Sequence, residues 1–160
     1  YGLWKQSGGV WDTSRVPYFY RDFDAESAEI LRKLDADYDV VRQAIREFFP
    51  KLPFTYMLGY LDLERLNHKS KHVDILSSLR DSKQLAAIKT PTVEGVDGRQ
   101  YLDSNFRFFK DDIPYGLLVA KALAEMLHVE TPFIDEVIDW AQKLRGEFFL
   151  KDGKINREYC

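Results

Sequence analysis

Between Ile113 and Leu127 the chain carries apolar residues on nearly every side of a helical wheel. Ile113, Leu117, Ala120, Ala124 and Leu127 fall on one stripe, and Leu118, Ala122 and Met126 widen it. A helix apolar nearly all round is expected to lie at the centre of a core, so other elements must cover it. The sequence supplies them as further helices. Ile30, Leu34, Tyr38, Val41, Ile45 and Phe48 recur at steps of three and four, behind Asp24 as a cap and ahead of Pro50 and Pro53 as a stop. Phe133, Val137, Trp140 and Leu144, joined by Ile134, Ile138 and Ala141, form another stripe. It opens on Thr131 as the cap and Pro132 in the first turn, and ends at Gly146. The expected fold is all-α, one domain over residues 1–160.

Other parts read less sharply. Residues 1–23 hold Trp4, Gly8-Gly9, Trp11, Pro17 and several tyrosines and phenylalanines, the composition of an irregular segment anchored by aromatics. A helix is expected from about Phe54 to Leu66, and a short one behind Ser70 carrying Val73, Leu76 and Leu79. Gly95-Val96-Asp97-Gly98 reads as a turn, and residues 148–155 as a small hairpin.

Composition excludes several functions. The net charge is -3, with no basic stripe, which argues against a nucleic-acid partner. No apolar run reaches membrane-spanning length. The single cysteine is Cys160, so no internal disulfide framework exists and a reducing, cytoplasmic setting fits. His68 and His72 have a spacing that can hold a metal. Lys69 and Lys71 between them oppose one, and two surface histidines with no metal are the expectation. The chain opens on Tyr1-Gly2-Leu3-Trp4 rather than on methionine, as a piece of a longer polypeptide would.

Chemistry concentrates just before the apolar helix, in Asn105-Phe106-Arg107-Phe108-Phe109-Lys110-Asp111-Asp112-Ile113-Pro114-Tyr115-Gly116. Asp111 or Asp112 could cap the helix, with Pro114 in its first turn. A fixed carboxylate there could equally orient a catalytic histidine, and Arg107 could grip an anion. The two roles are compatible. Tyr56 and Tyr60, one helical turn apart, either line a pocket and offer hydroxyls to a polar substrate or pack in a core with hydroxyls at its rim. His128 suits the negative end of the apolar helix.

The run from Arg107 to Gly116 resembles the second domain of the opine dehydrogenases, the octopine and nopaline dehydrogenase family. There an arginine, a short spacer, an acidic pair, a hydrophobic residue and a proline follow one another. The resemblance extends through the helix from Pro114, the Val129-Glu130-Thr131-Pro132 corner and Trp140-Ala141-Gln142, and loosely through most of the chain. It implies an all-α domain like the C-terminal domain of 6-phosphogluconate dehydrogenase relatives, with a companion Rossmann domain upstream. It implies an NADH- or NADPH-dependent joining of a 2-oxo acid, commonly pyruvate, to the amino group of an amino acid. Carried over by position, Asp112 is the catalytic aspartate that supports a histidine just upstream of Tyr1. Arg107 is the arginine that contacts the dinucleotide. Apart from the resemblance, the pocket-lining reading of the tyrosine pair makes Tyr60 the residue expected to bind substrate. Asp111 stands where the family usually has glutamate, and Phe108 where tyrosine is common. Two other readings remain: a non-catalytic helical interaction module, and the helical domain of another two-domain NAD(P)-dependent dehydrogenase.

Overall fold

A computed structural model describes residues 1–159; Cys160 lies outside the described residues. Seven α-helices dominate them: α1 (Gly2–Ser7), α2 (Ala25–Phe48), α3 (Tyr60–His68), α4 (Ile75–Arg80), α5 (Arg107–Lys110), α6 (Leu118–Met126) and α7 (Pro132–Arg145). The all-α expectation holds. The described chain groups into two compact units, residues 1–32 with 60–103, and residues 33–59 with 104 onward.

In the first unit the N-terminal segment is more regular than its composition suggested. Helix α1 closes on Gly8 in the left-handed conformation, and β1 (Val10–Trp11) follows. Gly2 lets α1 approach α2, since a Cβ there would stand 2.3 Å from Ser27 Oγ. Strand β1 pairs antiparallel with β3 (Gln100–Leu102), which pairs antiparallel with β2 (Thr92–Glu94). Residues 95–98 make the hairpin turn between β2 and β3, as read, with Gly98 N–H donating to Gly95 O at 3.0 Å. Strands of two or three residues carry too little alternation to be seen in sequence.

Two helices of this unit differ from expectation. The stretch from Phe54 does not start a helix: Phe54 takes a left-handed φ of 38°, and α3 begins at Tyr60. Tyr56 is therefore not one helical turn from Tyr60 and lies exposed. Ser70 does not cap the next helix. Asp74 does, accepting from Ser77 N–H at 2.8 Å, which leaves Val73 outside and exposed.

The second unit holds the larger core: Val41, Phe109, Ile113, Leu117, Leu118, Ala120, Ala124, Ile134, Val137, Ile138, Ala141 and Leu150. Phe48, Met126 and Leu144, assigned inward by periodicity, are exposed; α6 buries one side only. Lys121 lies within its buried side, and its ammonium meets Asp135 at 2.7 Å. A buried cation is tolerable only with such a partner.

The start of α7 is fixed from a distance. Pro132 opens the helix as expected, but the Thr131 side chain makes no cap bond. Asp37 of α2 takes its place: Phe133 and Ile134 N–H donate to one carboxylate oxygen at 2.7 and 2.9 Å. At its other end α7 stops at Gly146, φ 68°. The hairpin of β4 (Leu150–Lys151) and β5 (Lys154–Ile155) forms as read. Gln142 holds it, accepting from Leu150 N–H at 2.8 Å and donating to Leu150 O at 3.3 Å.

Candidate functional site

The charged run sits where three short helical pieces meet in the second unit. Arg145 anchors its entry by donating to Ser104 O, and pairs with Glu147 at 2.5 Å in half-buried surroundings. Phe109 sinks into the core against Trp140, ring centroids 5.4 Å apart, and pins α5. Between α5 and α6 the backbone makes one π-turn, Ile113–Leu117. Leu117 N–H bonds to Asp112 O five residues back, at 3.0 Å. Pro114 accounts for the change of winding, because it has no N–H to continue the ladder from Lys110. Single π-turns inside helices are frequent at functional sites.

The capping role is not observed at Asp112. Asp112 stands at the cap position, yet its side chain makes no cap bond and is exposed. The carboxylate is held by its backbone and left facing solvent. Partial burial pushes its carboxyl above the usual carboxylate range. The Arg107 guanidinium pulls it back, and Asp111 adds to the rise. Arg107 and Asp112 therefore lie within electrostatic reach of each other on one unit. Arg107 is 71% exposed and meets Asp111 at a long 3.9 Å. Exposed pairs of this kind are worth about 0–1 kcal/mol, so the guanidinium can exchange Asp111 for another anion at little cost.

Sequence reasoning missed a neighbour. Tyr38 of α2 is half-buried; burial and the charge of Asp112 both lift its phenol pKa, against Arg42. Tyr38 looked like one more core residue, and an electrostatic influence from 74 positions away leaves no local signal. Arg42 is itself held, with its guanidinium 3.1 Å from Asp35 and 3.3 Å from Asp39.

Tyr60 belongs to the other unit. It opens α3 and lines a cavity of about 380 Å³ with Glu64, His68, His72, Ser78 and Asp81. Burial raises its phenol pKa, and a hydrogen bond with Ser78 works against that rise. His72 lies 3.6 Å from Asp81, and no cluster that could hold a metal occurs among the described residues. His128 ends up exposed beyond α6, with a left-handed φ of 58°. No helix among the described residues is long and apolar enough to cross a membrane.

Known proteins resemble this chain in sequence and in fold. The family model for the NAD/NADP octopine/nopaline dehydrogenase alpha-helical domain matches residues 9–145. An opine dehydrogenase of Haliotis discus hannai is 31% identical over 161 residues, taking in 97% of this chain and 39% of that protein. A tauropine dehydrogenase of Arabella iricolor is 27% identical over 151 residues, 91% of this chain and 38% of that protein. A solved octopine dehydrogenase with NADH and L-arginine has a TM-score of 0.84 at 25% identity, covering 97% of this chain and 39% of its own. The same enzyme with NADH and pyruvate gives 0.82 at 25% identity, covering 97% and 37%. The chain thus spans about two fifths of the length of these relatives. It belongs to the NAD/NADP octopine/nopaline dehydrogenase family, and corresponds to that family's alpha-helical domain.

Proposed function

We propose that this chain is the substrate domain of an opine dehydrogenase, working with a companion dinucleotide-binding Rossmann domain of the same polypeptide. The proposed reaction is the NADH- or NADPH-dependent reductive condensation of a 2-oxo acid such as pyruvate with the amino group of an amino acid, in the cytoplasm. The observation that carries this reading is Asp112: an exposed, uncapped carboxylate on a π-turn, beside the exposed guanidinium of Arg107.

The residues fit the cofactor. A largely exposed guanidinium with a weak existing partner suits a pyrophosphate, which it can bind through two parallel N–H bonds. Lys110 beside it is also exposed and adds positive charge. When bound, the reduced nicotinamide supplies the hydride. Asp112 serves the proton chemistry. The amine must be neutral to attack the keto carbon, and the adduct must be protonated to lose water. A histidine near its ordinary pKa does both at neutral pH. In this reading that histidine precedes Tyr1, and Asp112 accepts from its far nitrogen. The carboxylate fixes the tautomer and stabilises the imidazolium. Tyr60 offers its hydroxyl to a polar group of the substrate.

The direct test is NADH consumption by the full-length protein with pyruvate and a panel of amino acids. Opine formation is expected from the whole polypeptide and none from this chain alone. No condensation by the whole polypeptide with any 2-oxo acid and amino acid pair refutes the reading.

Arg107→Ala carries a second expectation with two readouts. Calorimetry should show weaker NADH binding. The acid limb of kcat/KM should also move to higher pH. Removing the guanidinium removes the one influence that lowers the raised Asp112 pKa. The carboxylate form is then lost at a higher pH as the solution is acidified. An unchanged dissociation constant, or an acid limb that moves down, contradicts the assignment.

A further inference from the structure

The end of α2 and the loop behind it hold large apolar side chains in solvent. Phe48 is 67% exposed, Phe49 46%, Leu52 54% and Tyr56 78%. Phe48 and Phe49 pack edge to face, ring centroids 4.8 Å apart, and Phe49 leans on the half-buried Phe54 at 6.3 Å. The loop is well ordered. Leu52 N–H donates to Phe49 O at 3.0 Å, and Met57 N–H donates to Phe54 O at 3.1 Å. Arg46 of α2 donates to Met57 O and ties the loop back to the helix. Pro50 and Pro53 each fix a φ angle. Phe54 is held at a φ of 38°, a conformation that a bulky residue adopts only under constraint. A single exposed phenylalanine needs no explanation, but four large apolar side chains held in order within nine residues mark an interaction surface.

We infer that this patch is a two-fold interface between two copies of the protein. Two observations choose a second copy as the occupant. The first is charge. Glu47 and Lys51 flank the patch, both exposed, and neither pairs with another side chain among the described residues. In a two-fold contact the same surface meets itself, so Glu47 of each copy lies against Lys51 of the other and two opposite-charge pairs form at once. The patch is thus complementary to itself in sign as well as in apolar character. The second observation is size. At the usual area of buried aromatics, the four side chains offer roughly 400 Å² of apolar and aromatic surface. An interface of standard size buries about 800 Å² on each partner, a little over half of it apolar. The patch supplies the apolar centre of such an interface, and the two charges belong to its polar rim.

The experiment is sedimentation velocity on the full-length protein, which reads assembly without needing turnover. The wild type is expected to be dimeric at about 10 μM, within the affinity range of interfaces this size. Phe48→Glu puts a carboxylate into the apolar centre and should weaken the dimer by about tenfold or more. Glu47→Lys and Lys51→Glu each set like charges against one another at two places, and each should also weaken it by about tenfold or more. Mixed in equal amounts, these two variants regain both opposite-charge pairs. A mixed dimer should then form where neither variant alone dimerises. A wild type that stays monomeric up to about 100 μM overturns the inference. So does a dimer indifferent to Phe48→Glu, which would use another surface. A mixture no more dimeric than its components removes the two-fold pairing, and the inference with it.

Discussion

Asp112→Asn in the full-length protein is expected to lower kcat by about two to four orders of magnitude, the usual worth of a positioned acid–base group. The substitution keeps shape and removes charge. An amide can still meet the histidine, but it neither stabilises an imidazolium nor enforces one tautomer. The structure makes this a clean experiment. The Asp112 side chain caps nothing and lies on the surface, so the fold does not lean on it. The melting temperature should stay within the range of an ordinary surface change, about 0.5 kcal/mol. A kinetic loss without a thermal loss is the signature of a chemical role. Near-normal turnover removes Asp112 from the mechanism.

Asp37→Ala should do the reverse. Asp37 is buried and accepts from two backbone N–H groups at the start of α7. Alanine leaves both donors without that acceptor, the Ile134 N–H in buried surroundings. The loss of a cap costs about 0.5–2 kcal/mol, and a hydrogen bond to a charged group contributes about 1.5–3 kcal/mol. A destabilisation of about 3 kcal/mol follows, or a fall in Tm of about 6–12 °C for a chain of this size. Asp37→Asn retains an acceptor and should recover part of it. Thermal melts of the two variants side by side decide the matter; an unchanged Tm in Asp37→Ala removes the cap from the account.

The same aspartate shows what the sequence could and could not reveal. Helices α2 and α7 were legible because their apolar residues recur at helical steps, and their ends because Asp24 and Gly146 are local signals. Ser27 N–H does donate to Asp24 at 2.7 Å. The cap of α7 was not legible. Thr131 and Pro132 carry the local pattern of a helix start, but a partner on another helix supplied the acceptor first. Periodicity overreached at Phe48, Met126 and Leu144, because it finds a face and cannot say how far neighbours extend to cover it. The sheet of β1, β3 and β2 escaped notice because β1 joins β3 across some ninety positions, and every strand, those of the local β2–β3 hairpin included, is only two or three residues long.

The candidate site divides in the same way. Arg107 and Asp112 could be singled out in sequence, because a dense charged run before an apolar helix is conspicuous and matches a family pattern. That Asp112 is freed from capping was not readable. It follows from the winding change that Pro114 brings. The influence of Asp112 on Tyr38 was hidden by the regularity of Tyr38 within the α2 stripe.

That winding change has a consequence for how such a domain can diverge. A π-turn accommodates one residue more than an α-turn, so everything before it is rotated by roughly 100° against everything after it. Loss or gain of a single residue between Ile113 and Leu117 would swing the guanidinium and the carboxylate to a new bearing. Leu117, Ala120 and Ala124 would keep their places. In this lineage the aim of the charged groups and the packing of the interior can therefore be inherited as separate traits.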